Sequence, residues 1–306
     1  MPGAGPRILA IKHGALGDAV LAIGALQAIR RHHAGAHLAL LTAAPAVELL
    51  AASGLFDETL VDARAGLTAL GANATVLAWL VRGAFRTVYD LQASSRTRRY
   101  RRFLAAMRPR TVWHVLPAAR AGEHAADRLA QCLAAAQIPG PWPADLDFLD
   151  AAPEPFWPTA PFALLLPGGS ARHPAKRWPP ERFGAICNNL ADEGIMPVLL
   201  GTEADRAACH KVGAGAPGVL DLCGRTSLAS LAGLGRRAVV ALGNDSGPLH
   251  LLAQLGCPTL AIFGPGGDPG RSAPRGPRAA WIGAADTGWP EAGDVWSRLI
   301  LIRQTA

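Results

Sequence analysis

The stretch Arg7-Ile-Leu-Ala-Ile-Lys12, continuing through His13-Gly-Ala-Leu-Gly-Asp18 into Ala19 and on to His32, decides the fold. Its opening is an apolar run of strand length, its middle a glycine-bearing turn, and residues 19–32 carry apolar side chains at helical spacing. Strand, glycine turn and helix together open a βαβ unit. The pattern continues outward: strands at 37–42, 58–62 and 87–91 alternate with helices at 45–52 and 68–81. Such alternation predicts a parallel sheet covered on both faces.

Between Ile138 and Pro161 the composition shifts, with Pro139, Pro141, Pro143, Pro153, Pro155, Pro158 and Pro161 close together. Neither a helix nor a central strand tolerates that density, so the linker is expected here. The alternation then restarts, with strands at 162–166, 196–200, 219–222, 238–242 and 259–263, and helices at 181–193, 204–212, 227–234 and 248–255. The expected architecture is α/β, with two Rossmann-like doubly wound domains, 1–155 and 156–306, facing across a cleft. The last helix is a candidate to pack back on the first domain.

Composition narrows the function classes. The chain has 306 residues, 50% of them hydrophobic and 17% charged, with 34 Gly and 25 Pro. These values exclude a disordered tail, a collagen and a small disulfide scaffold. No apolar run reaches the roughly 18 residues of a membrane span. The N-terminus lacks the basic region of a signal peptide, so a cytoplasmic protein is expected. The five cysteines are scattered, without a Cys-x-x-Cys pair, and read as small core residues with no metal site. A net charge of +7 allows an anionic partner without choosing one. Lysine occurs only at positions 12, 176 and 211, which makes each one more informative.

Three loops carry candidate chemistry, each between a strand's carboxyl end and a helix start, where free N–H groups attract anions. In the first, Asp18 is either a catalytic base or a carboxylate complementing the helix dipole. The second, Pro167-Gly-Gly-Ser170 and the residues to Lys176, offers a hydroxyl and a compact cation for phosphate oxygens. In the third, Gly243-Asn-Asp-Ser-Gly-Pro-Leu-His250, Pro248 in the first turn leaves the N–H groups near Ser246 and Gly247 to an anion. His250 is either part of that site or an interior histidine. The first loop is not a Walker A motif, since no Gly-Lys-Ser or Gly-Lys-Thr follows it. The basic run Arg96-Thr-Arg-Arg-Tyr-Arg-Arg-Phe103, continued by Arg108 and Arg110, suits an acidic acceptor, an anionic membrane surface or a solvated helix face. No recognised nucleic-acid motif accompanies it.

Together these loops resemble glycosyltransferase family 9, the bacterial heptosyltransferases of lipopolysaccharide core assembly. Gly17-Asp18, Asp90-Leu-Gln92, Lys176-Arg-Trp-Pro-Pro-Glu-Arg-Phe183, Leu200-Gly-Thr-Glu203, Gly224-Arg-Thr-Ser-Leu228, Gly243 to His250 and Phe263-Gly-Pro265 follow in the family's order. The resemblance implies a GT-B architecture, a nucleotide-sugar donor such as ADP-heptose, inversion at the anomeric carbon and no obligatory cofactor or metal. It implies Asp18 as base, Ser170 and Lys176 at the donor phosphates, and Glu203 on the ribose. Asp245 would meet the donor sugar, and Ser246, Gly247 and His250 would form the pyrophosphate-binding helix start. Arg96, Arg98 and Arg99 would meet an anionic glycolipid acceptor, with peripheral contact at the inner membrane face. Two departures stand out: an extra residue near His173-Pro174, and Gly266-Gly267 where the family offers a threonine. An epimerase or hydrolase of the same fold, or a non-catalytic nucleotide-sugar binding module, are the alternatives.

Overall fold

The computed structural model describes residues 5–66, 69–149, 151–169, 177–283, 286 and 288–304. It divides into two compact units, residues 1–148 and 149–306.

In the first unit, strands β1 (Arg7–Lys12), β2 (His37–Thr42), β3 (Glu58–Val61), β4 (Thr87–Asp90) and β5 (Val112–Val115) form one parallel sheet in the order β3-β2-β1-β4-β5. Helices α1 (Leu16–His32), α2 (Ala44–Ala52), α3 (Leu70–Arg82), α4 (Ser95–Met107) and α5 (Ala125–Ala135) alternate with the strands. Residues 8–11 and 38–41 are buried without alternation, as strands covered on both faces must be. One core packs Leu9, Ile11, Leu41 and Val88 against Val76 and Leu80 of α3 and Tyr100 and Leu104 of α4. Helix α1 starts at Leu16, earlier than the spacing suggested, so Gly17 and Asp18 belong to its first turn.

The second unit repeats the scheme with β6 (Phe162–Leu166), β7 (Met196–Leu199), β8 (Leu220–Asp221), β9 (Val240–Asn244), β10 (Thr259–Ile262) and β11 (Ala279–Ile282). All are parallel, in the order β11-β10-β9-β6-β7-β8. Its helices are α6 (Pro180–Asp192), α7 (Arg206–Ala214), α8 (Leu228–Gly235), α9 (Gly247–Gln254), α10 (Pro269–Ser272) and α11 (Ala292–Gln304). The last helix buries Val295, Leu299 and Ile302 in this unit's own core, beside Phe183, Leu242 and Ile262.

The proline-rich segment is strapped down rather than free. Its first part lies on the first unit, where Gln27 donates to Asp145 O at 2.7 Å and accepts from Asp145 N at 3.0 Å. A Cβ at Gly24 would stand 2.1 Å from Trp142 O, so glycine is what lets the segment close on α1. The later part belongs to the second unit: Ser230 Oγ donates to Glu154 at 2.5 Å, and Trp157 packs on Gly233 under the Arg237 guanidinium. The units therefore divide between residues 148 and 149, ahead of the boundary expected from composition. Among the described residues no helix is long and apolar enough to cross a membrane.

In both sheets the strand order reverses beside the first strand, between β1 and β4 and between β6 and β9. Loops diverge at such switch points and leave a crevice beyond the carboxyl ends of the strands. At the second switch point a Cβ on Gly243 would stand 2.7 Å from Leu166 Cβ and 2.9 Å from Leu166 O, so β9 and β6 meet only because that residue lacks a side chain. Gly243→Ala should cost about 1–3 kcal/mol through overpacking, measured as a lower urea midpoint at unchanged m.

Candidate functional site

The two switch points hold most of the residues that the sequence singles out, and each is described within its own unit. At the first, Asp18 is exposed, and its Oδ2 accepts from the backbone N–H of Ala15 at 3.2 Å. A side chain on Gly14 would collide with Asp18, its Cβ 2.3 Å from that of Asp18. The dipole-complementing role thus has its geometry, and an exposed carboxylate still has lone pairs for a substrate hydroxyl. The turn is pinned by Gln92, whose Oε1 accepts from His13 N at 3.1 Å; Asp90 Oδ1 in turn accepts from the N–H groups of Gln92 and Ala93.

Lys12 ends β1 and is only 6% exposed, with Nζ donating to Leu91 O at 3.3 Å. Burial lowers its pKa, the negative field of Asp18 opposes that fall, Arg128 adds to it and Asp90 opposes it. Lys12 therefore sits in the field of the candidate base. Sequence reasoning assigned Lys12 no role, although the scarcity of lysine was a signal.

The basic run divides in two. Arg96 turns inward: Nε and Nη2 each meet Asp62 at 2.8 Å, Nη1 donates to Ala65 O at 2.7 Å, and Nη2 also reaches Asn73 Oδ1 at 3.0 Å. Tyr100 OH donates to Asp62 at 2.7 Å. Burial alone would raise the Asp62 carboxyl, but the hydrogen bonds from Arg96, Tyr100 and Arg64 N–H outweigh it and hold the pKa below the usual value. Arg96 is thus spent on a buried carboxylate, which corrects the expectation that it faces an acceptor. Arg98 and Arg99 are exposed. Arg98 lines a cavity of about 360 Å³ with Asp90, Arg101, Leu116, Ala119 and Arg128.

At the second switch point Asn244 is the pin. Its amide is 1% exposed; Nδ2 donates to Pro167 O at 2.9 Å and Gly168 O at 3.0 Å, and Oδ1 accepts from Trp178 N at 2.9 Å. Asp205 does the parallel work one strand over, with Oδ1 accepting from Gly169 N at 3.1 Å and Oδ2 from Thr202 N at 3.0 Å and Thr202 Oγ1 at 2.7 Å. A Cβ on Gly168 would lie 2.3 Å from Asp205 Cγ. Both residues were missed as site residues; Asn244 lay inside a quoted motif, and Asp205 had no signal beyond following one.

Ser246 caps α9 in an extended conformation (φ −149°, ψ 154°) with no side-chain capping bond, and Pro248 stands in the first turn. Ser246 Oγ and His250 Nδ1 are buried without a hydrogen-bond partner. The other ring nitrogen of His250 lies 3.8 Å from Asp245 Oδ1. Unsatisfied buried polar atoms are costly, and the positive end of a helix favours anions. Gly247 opens α9, while Asp245 Oδ2 accepts from Ser272 Oγ at 3.3 Å. Glu203 is exposed, with Oε1 and Oε2 on Arg206 at 2.6 and 2.5 Å; those hydrogen bonds hold its pKa down. Ser170 and Lys176 lie outside the described residues.

Against this geometry stand the comparisons. The model of glycosyltransferase family 9 (heptosyltransferase) matches residues 98–293. Lipopolysaccharide heptosyltransferase 2 of Escherichia coli (strain K12) is 32% identical over 102 residues, which is 32% of this chain and 29% of that protein. The aligned stretch thus spans under a third of the curated relatives it first matches, 29–30% of their lengths. A solved glycosyl transferase family 9 protein from Veillonella parvula superposes with TM-score 0.79 at 19% identity, covering 100% of this chain and 99% of that one. E. coli ADP-heptose lps heptosyltransferase II does so with TM-score 0.75 at 20% identity, covering 98% and 99%. The fold is the GT-B type that the sequence resemblance implied.

His13 beside Asp62 supplies a pH test. Both its ring nitrogens lack a hydrogen bond, and Nε2 lies 3.6 Å from Asp62 Oδ2. Burial lowers its pKa to about 4 against the opposing field of Asp62. A folded pKa below the free value of 6.5 means that the unfolded chain takes up the proton first, so this contribution to stability is full above 6.5 and is lost as pH falls toward 4. Between pH 7 and pH 5 urea unfolding should lose about 2 kcal/mol more in wild type than in His13→Gln.

Proposed function

The chain belongs to glycosyltransferase family 9, and we propose that it transfers a heptose, with inversion, from ADP-heptose to a hydroxyl of a lipopolysaccharide core acceptor. The observation that carries this reading is the start of α9. There Ser246 Oγ and His250 Nδ1, both buried and unpartnered, stand at the positive end of a helix beyond the carboxyl end of β9. A diphosphate supplies the acceptors and the negative charge that this arrangement lacks.

Displacement with inversion requires the acceptor hydroxyl and its base on the sugar face opposite the departing diphosphate. Asp18 belongs to the first unit and Ser246 with Gly247 to the second, so the two roles fall to different units. As the glycosidic bond breaks, negative charge grows on the pyrophosphate, and the N–H groups at the helix start together with Ser170 and Lys176 stabilise it. The anomeric carbon takes oxocarbenium character, the hydroxyl becomes acidic, and Asp18 accepts its proton late. Each Glu203 oxygen bonded to Arg206 keeps a lone pair for a ribose hydroxyl, and Asp245 contacts the donor sugar.

The acceptor reading rests on the cavity of about 360 Å³ that Arg98, Arg101 and Arg128 line. Guanidinium groups are suited to phosphates and sugar carboxylates. Eight arginines and no acidic residue lie between Leu91 and Gly122, so this segment alone carries more positive charge than the net +7 of the chain. Exposed Phe103 and Met107, one turn apart on α4, stand among these arginines, an arrangement that favours peripheral contact with an anionic bilayer from the cytoplasmic side.

Purified protein given ADP-heptose and a truncated core acceptor should form glycosylated product and ADP. Donor consumption without acceptor would instead indicate an epimerase or hydrolase, and donor binding without turnover a binding module. Asp18→Asn should lower kcat by about 10²–10⁴-fold while calorimetry finds donor affinity unchanged. Unaltered turnover would remove Asp18 from the chemistry. Arg98→Ala with Arg101→Ala should raise the acceptor KM by about tenfold or more with little change in the donor KM, since two charge-assisted contacts are lost.

A further inference from the structure

Folding of the second unit brings Cys209 beside Asp221 and Cys223, three side chains of metal-ligating type. Cys209 lies on α7, Asp221 ends β8, and Cys223 follows it. One ligand atom from each, two Sγ and a carboxylate oxygen, all lie within 4.8 Å of one another. Without a Cys-x-x-Cys pair, the cysteines look in sequence like small core residues. The pair forms here across a helix and a strand end, where spacing along the chain says nothing.

We propose that Cys209, Asp221 and Cys223 bind a thiophilic divalent cation, zinc by the softness of its donors, as a structural staple beneath the turn that carries Glu203. Two sulfurs and a carboxylate suit zinc and disfavour the hard cations magnesium and calcium, which take oxygen ligands. Both cysteines are almost fully buried, at 0% and 1% exposure, whereas Asp221 is exposed and gives the ion its way in. The carboxylate is already oriented: Asp221 Oδ1 accepts from Cys223 N at 2.8 Å, which leaves Oδ2 for a ligand.

The sulfurs are turned toward one another against bare backbone. A Cβ on Gly201 would lie 3.2 Å from Cys223 Sγ and 3.4 Å from Cys209 Sγ, so a side chain there would crowd both. With its proton in place Cys223 Sγ donates to Thr202 O at 3.1 Å, a bond given up when the cation takes the thiolate. On binding, the cation takes two thiolates and one carboxylate, the two thiol protons pass to solvent and no electron moves. Three protein donors leave the fourth tetrahedral position to water from the exposed side of Asp221. The staple joins α7 to the end of β8, and it is independent of the transfer reaction proposed above.

Cobalt is the probe, because its absorption reports thiolate ligation. The full chain, stripped with a chelator under reducing conditions and titrated with Co²⁺, should develop a thiolate-to-cobalt charge-transfer band and intense four-coordinate visible bands. Both should saturate at one equivalent and be displaced by Zn²⁺. Zinc should also raise the Tm of the stripped protein. Replacing a buried cysteine endangers folding, so Asp221→Asn carries the test: it keeps an oxygen to accept from Cys223 N and removes the charged ligand. It should bind zinc at least about tenfold more weakly. Lack of the charge-transfer band at stoichiometric cobalt, or zinc binding by Asp221→Asn as tight as by wild type, overturns the proposal.

Discussion

The second unit depends on one buried amide. Asn244 stands at the carboxyl end of β9, where the sheet reverses its strand order, and its side chain bonds the backbone of Pro167, Gly168 and Trp178. A buried amide left unsatisfied costs about 1–3 kcal/mol, and this one is satisfied only while both loop segments are in place. Loop position and fold stability are thus coupled at that residue. Asp205 repeats the device between the Gly169 and Thr202 turns. With the strand ends fixed in this way, the start of α9 keeps Ser246 Oγ and His250 Nδ1 unpaired, a cost that a free loop would relax by moving.

The first unit uses charge differently. Helix α4 has a capping box at Ser94 and Thr97, an apolar inner stripe of Tyr100 and Leu104, and arginines at 96, 98, 99, 101 and 102. Its arginines do not share one role. Arg96 lies beside Tyr100 on the inner side and neutralises Asp62, which only well-made hydrogen bonds can keep ionised inside the unit. Arg98, two residues on, faces solvent and a cavity. The helical period, rather than the composition of the run, separates a structural arginine from one available to a ligand.

Much of the scaffold was legible. Strands buried on both faces must be unbroken apolar runs, so Ile8 to Ile11, Leu38 to Leu41 and Phe162 to Leu166 announced themselves, and the glycine turns marked where helices follow. Less visible were β5, with its half-exposed Val112-Trp-His-Val115, and β11, Ala279-Ala-Trp-Ile282, because edge strands lose the continuous apolar signature. The units divide inside the proline-rich segment, as expected, but the way that segment is held was not legible. Proline density reports that a segment forms no regular element, but it does not report whether side chains such as Trp142, Glu154 and Trp157 are anchored to a neighbouring surface.

By itself the sequence determined the α/β alternation, the two-unit organisation, the family and the candidate loops at the strand ends, because these follow from periodicity and from glycine, proline and short polar motifs read locally. Tertiary structure alone decided which polar groups in those loops are already spent. Arg96 is consumed by Asp62, Asn244 and Asp205 by backbone, whereas Ser246 and His250 keep unpaired atoms, and Lys12 enters the field of Asp18. Hydrogen bonding and Coulomb interactions act over a few ångströms of space between residues far apart in the chain. Partners of that kind have no spacing rule to be read by.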